Sequence, residues 1–71
     1  MRLSLGAIMV TGKMLRRVRI WRKLTQAQLA AKVGVHEMTI SKLERGDRQP
    51  SLALLRRLAK ALKVKVGELL E

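Results

Sequence analysis

The sequence holds no cysteine, so disulfide staples, thiolate metal sites and iron–sulfur clusters are excluded. Its one histidine, His36, has no second imidazole with which to complete a zinc finger. Aromatic residues come down to Trp21, whereas binding of single strands by base stacking needs several. Acidic residues number five, and neither a carboxylate pair nor a nucleophile with its base stands at workable spacing. An enzyme is therefore not expected, and neither is a metal or cofactor. A long apolar run is missing too. Leu3 to Val10, broken by Ser4 and Gly6, falls far short of the about 20 residues that span a bilayer. With no secretory pattern either, the chain is expected to be cytoplasmic and to have no membrane partner.

What is present is charge of one sign. Sixteen Lys and Arg leave a net charge of +11 on 71 residues, which attracts polyanions and makes nucleic acid the leading partner. The apolar fraction of 48% is too high for a disordered basic tail. One small domain is expected, and with so little core it depends on regular helix packing or on a dimer. The positive charge sits in two blocks, Lys13 to Lys23 and Arg56 to Lys65.

Residues 1–12 stand apart as a leader, read as a flexible tail in preference to a short dimerising strand through Ile8, Val10 and Thr11. Residues 13–71 read as an all-α unit of five short helices, because apolar residues recur at helical spacing between clear stops. The first covers about Lys13 to Lys23 and buries Leu15 and Val18. Trp21, one turn on, is also expected to pack inward. The second opens at Thr25, with Gln28 completing a capping box, and ends at Gly34. The third covers about His36 to Arg45 and stops at Gly46. The fourth is capped by Ser51 and turns Leu52, Leu55, Leu58, Ala59 and Leu62 inward. The fifth, about Val66 to Leu70, closes the domain with Leu69 and Leu70.

The functional signal lies in residues 26–45, two helices joined by a tight connection at Gly34, which is helix-turn-helix geometry. At about 100° per residue, Ile40 and Leu43 share one side of the third helix. Glu37, Met38, Ser41, Lys42 and Arg45 spread over the other. The inward pair anchors the helix and the outward set is free to enter a groove.

Leu15, Val18, Arg19, Leu24-Thr25-Gln26, Leu29-Ala30, Val33-Gly34-Val35, Thr39-Ile40-Ser41, Leu43-Glu44-Arg45-Gly46, Pro50-Ser51 and Leu58-Ala59-Lys60-Ala61-Leu62 together resemble the Cro and phage-repressor type of helix-turn-helix regulator. This is the lambda-repressor-like or XRE family, and the likeness covers residues 14–71. It implies a compact five-helix DNA-binding domain in which Glu37, Met38, Ser41 and Lys42 occupy base-reading positions. It implies phosphate contacts from Thr25, Gln26 and Thr39, and a structural ion pair between Arg19 and Glu44. Arg45, at the edge of the outward face, and Arg48, in the loop, are further phosphate candidates. Two departures stand out, Lys23 and Lys63 at helix ends where the family often has glycine, with strain of about 1 kcal/mol each if they are left-handed.

The function expected on these grounds is sequence-specific binding of double-stranded DNA by a transcriptional regulator, a repressor acting as a homodimer on an inverted-repeat operator. The alternative is an antitoxin that binds a toxin protein and regulates its own operon.

Overall fold

The computed structural model describes residues 12–70 of the chain. Four α-helices follow one another: α1 Gly12–Trp21, α2 Gln26–Val33, α3 Glu37–Arg45 and α4 Leu52–Leu62. The expected fifth helix is instead a 3-10 turn, Val66–Leu69. A segment this short, with Gly67 inside it, gains too few hydrogen bonds to propagate an α-helix. It still does the expected packing, because Leu69 is fully buried. Of the leader expected over residues 1–12, Gly12 instead opens α1, and residues 1–11 lie outside the described residues. No described helix is long and apolar enough to cross a membrane.

The core draws Leu15 from α1, Leu29, Ala30 and Val33 from α2, Ile40 and Leu43 from α3, and Leu54, Leu55, Leu58, Ala59 and Leu62 from α4. α3 packs against both α1 and α2, α4 packs against α2, and the 3-10 turn closes over α1 and α4. The first turn of α1 meets the end of α3 so closely that a Cβ on Gly12 would overlap the Glu44 carbonyl. Only a residue without a side chain fits there.

Two expected core residues lie outside. Leu52 is 54% exposed, and Leu54 takes an inward place. The buried arc of α4 is centred between Leu55 and Leu58, so Leu52, about 90° away and in the open first turn, escapes it. Trp21 is 68% exposed. Arg19 is the inward residue of that turn of α1, and Trp21, about 200° round from it, faces solvent. Its ring instead carries the Arg22 guanidinium, 4.5 Å from the ring centroid.

The two helix-end lysines are left-handed, with φ 60° at Lys23 and 58° at Lys63. Each closes its helix by backbone bonds, Leu24 N–H to the Arg19 carbonyl at 3.1 Å and Val64 N–H to the Ala59 carbonyl at 3.0 Å. A Cβ in this conformation costs about 1 kcal/mol, so Lys23→Gly and Lys63→Gly are each expected to stabilise the domain by up to that amount. Thermal unfolding checks this, and the shift expected is about 4–8 °C upward per kcal/mol. A fall in melting temperature for both variants would show that the left-handed turns are unstrained.

Candidate nucleic-acid interface

The helix-turn-helix is built by three local devices. At the start of α2 the Thr25 hydroxyl accepts from the Gln28 N–H at 3.0 Å while the Gln28 side-chain oxygen accepts from the Thr25 N–H at 2.8 Å. This reciprocal cap satisfies two donors that the helix cannot. At its end Gly34 adopts φ 76°, ψ 36°, a left-handed conformation that a side chain would strain. The Gly34 and Val35 N–H groups both donate to the Ala30 carbonyl, at 2.8 and 3.0 Å, so the turn is closed before α3 begins. His36 opens α3 with extended backbone and no side-chain cap, and Glu37 in the first turn complements the helix dipole.

α3 is held from one side. Ile40 and Leu43 are buried, whereas Glu37, Met38, Lys42 and Arg45 are exposed and Ser41 and Thr39 half-buried. The outward residues form one contiguous ridge, because Glu37, Met38, Ser41, Lys42 and Arg45 recur at three- and four-residue spacing. Met38 stands 58% exposed on it, a large apolar side chain left in water.

The far end of α3 is locked by the Arg19–Glu44 pair. Arg19 Nε donates to Glu44 Oε2 at 2.5 Å and Nη2 to Oε1 at 3.0 Å, a two-pronged geometry. The third arm, Nη1, donates to the Leu24 carbonyl at 2.8 Å. Both side chains are withdrawn from water, at 11% and 3% exposure. α1, the α1–α2 connection and α3 are thereby tied at one point.

The phosphate candidates are dispersed. Thr25 spends its hydroxyl on the cap. Gln26, half-buried, donates from Nε2 to Glu44 Oε1 at 3.0 Å, so its amide is drawn into the Arg19–Glu44 network. Arg45 reaches Asp47 Oδ2 at 2.9 Å and the Ser41 hydroxyl at 3.0 Å, both in water-exposed positions. Such an exposed pair is worth little and is readily exchanged for another anion. Arg48 is exposed in the loop between α3 and α4.

Two further arginines close helix ends. Arg22 donates to the Leu62 and Lys63 carbonyls at 2.7 and 3.0 Å, capping the end of α4. Arg57 donates to the Val33 carbonyl, capping α2. Both serve carbonyls that a helix end leaves unpaired. Their partners lie far away in the chain, so nothing in the local spacing marked them.

Comparison with known proteins is consistent from sequence to fold. The helix-turn-helix family model HTH_3 matches residues 15–69. Over 54 residues the chain is 48% identical to an uncharacterized HTH-type transcriptional regulator, RghRB, of Bacillus subtilis (strain 168). That match takes in 75% of this chain, which spans only 39% of the length of that relative. The P22 c2 repressor, solved in complex with a synthetic operator, superposes with a TM-score of 0.82 at 35% identity, over 87% of this chain and 94% of that one. The restriction-modification controller protein C.AhdI of Aeromonas hydrophila superposes with a TM-score of 0.79 at 36% identity, over 82% and 88% of the two chains.

Proposed function

Because the chain belongs to the helix-turn-helix family HTH_3, we propose that it is a regulator of transcription that reads double-stranded DNA with α3, as a homodimer that represses from an inverted-repeat operator. The observation that carries this reading is the single-sided burial of α3. Ile40 and Leu43 hold it while Glu37, Met38 and Lys42 are exposed, with Ser41, half-buried, between them on the same side. A major groove admits a helix presented in this way.

The division of labour follows from chemistry. Lys42 donates to guanine O6 and N7, Met38 meets a thymine methyl, and Glu37 accepts from a cytosine amino group. Ser41, a donor and acceptor, adapts to its neighbours. Arg48 and Arg45 supply phosphate contacts, with Asp47 exchanged for the phosphate, and Thr25, Gln26 and Thr39 complete the backbone track. One helix covers only a few base pairs, so a two-fold assembly with half-sites about 34 Å apart is the economical route to specificity.

Selection of bound sequences from random duplex DNA by the wild-type chain tests this reading and defines the site. An inverted repeat is expected. Against that site, Lys42→Ala and Met38→Ala should each weaken binding by about 1–3 kcal/mol per half-site, relax preference at one base pair, and leave binding to unrelated DNA unchanged. Arg48→Ala should weaken binding to every sequence alike and flatten the salt dependence by about one unit of log-log slope. Equal losses on all sequences for Lys42→Ala would remove α3 from the reading role.

A further inference from the structure

Behind the turn, α2 and α4 leave a cleft of about 560 Å³ that no residue of α3 lines. Four cations line it, Lys32, Arg57, Lys60 and Lys63, and no carboxylate does. Val33 and Gly34 complete the wall on the α2 side. Cations are favourable near helix C-termini, and two helices end here. Several of the end carbonyls are already served without the lysine side chains: Arg57 donates to Val33, Arg22 to Leu62 and Lys63, and backbone N–H groups to Ala30 and Ala59. Among the described residues no ion pair engages Lys32, Lys60 or Lys63. Like charges gathered around one concavity raise its positive potential and concentrate anions there.

We propose that this cleft is a binding site for a small polyphosphate anion, which Lys32, Lys60, Lys63 and the free edge of the Arg57 guanidinium would clamp. Its cations are spread over two helices, which favours a ligand carrying several linked phosphates over a single phosphate group. Arg57 contributes planar, directional donors and the lysines contribute movable point charges. No residue of the reading ridge lines the cleft.

Inorganic tripolyphosphate titrated into the full chain at 0.15 M salt, where diffuse attraction is screened beyond about 8 Å, provides the test. Calorimetry is expected to show saturable one-to-one binding, and backbone amide shifts should cluster at residues 32–34 and 57–63. Lys60→Gln combined with Lys63→Asn, where asparagine tolerates the left-handed conformation, should weaken binding about tenfold or more. Lys32→Gln alone should weaken it about threefold, and it keeps the test decisive should the double variant not fold. Lys42→Ala, on the α3 ridge and outside the cleft lining, should leave it unchanged. Shifts centred on α3, or equal losses from Lys42→Ala and the cleft variants, would overturn the proposal in favour of general attraction by the net charge. So would displacement of these same amide signals by a short DNA duplex, which would make the cleft a DNA-backbone contact.

Discussion

Glu44→Ala is expected to lower the stability of the domain by about 3–5 kcal/mol. The carboxylate is 3% exposed and takes two bonds from Arg19 and one from Gln26. Removing it leaves the Arg19 guanidinium in a dry site with the Leu24 carbonyl as its remaining partner. It also leaves the cleft between α1 and the end of α3 lined by Lys13, Arg16 and Arg17 without an opposing charge. A domain of this length is stable by about 4–11 kcal/mol, so a large part of the total is at stake. Glu44→Gln is not a mild change either, because the amide brings a donor to face a donor. Urea denaturation measures the loss directly. The double variant Arg19→Leu with Glu44→Leu should recover most of it, since a well-packed apolar pair avoids the cost of desolvating two charges. A loss below about 1 kcal/mol for Glu44→Ala would mean that water screens the pair after all, as it does at an exposed bridge.

Ile40→Ala is expected to cost about 2–5 kcal/mol, and its consequence for DNA should differ in kind from that of Lys42→Ala. Ile40 is fully buried among the residues that join α3 to the rest of the core. Truncation removes apolar contact and leaves a cavity that a short helix held at few points cannot collapse to fill. The reading ridge itself is untouched, so the apparent affinity falls only as the folded fraction falls. Binding by Ile40→Ala should therefore approach the wild-type value on cooling toward the temperature of maximum stability, with all DNA sequences affected alike. Lys42→Ala should keep its sequence-dependent defect at every temperature. Titration of both variants at two temperatures, beside their melting curves, separates anchoring from reading. A sequence-specific defect in Ile40→Ala that persists in the fully folded protein would show that Ile40 sets the pose of the ridge as well as its stability.

Much of this domain is written in short-range signals. Thr25 and Gln28 stand three apart and form the reciprocal cap, Gly34 and Gly46 end α2 and α3 in left-handed turns, and Ser51 caps α4 by accepting from the Leu54 N–H at 3.1 Å. The exposed ridge of α3 follows from helical phase alone, once Ile40 and Leu43 are recognised as its apolar side. The Arg19–Glu44 contact spans 25 positions and was reached only through family likeness, because no local rule pairs charges so far apart.

Periodicity, caps and turns are properties of adjacent residues, and they are enough to specify four helices, their ends and the outward face of α3. They do not say how far each helix extends past its neighbours. They do not say, either, which side of a helix end faces the core: Arg19 takes that place in the last turn of α1 and Leu54 in the first turn of α4, so Trp21 and Leu52 lie in water. Nor do they say which carbonyls a long arginine will reach. Arg22 and Arg57 close helix ends 40 and 24 positions away, a result of the angle at which whole helices meet. Local order comes from steric and hydrogen-bond preferences within a turn or two of chain. The arginine caps from distant helices, the clefts and the exposed edges of this protein come instead from the excluded volume of helices packed against one another, which exists only once they have assembled.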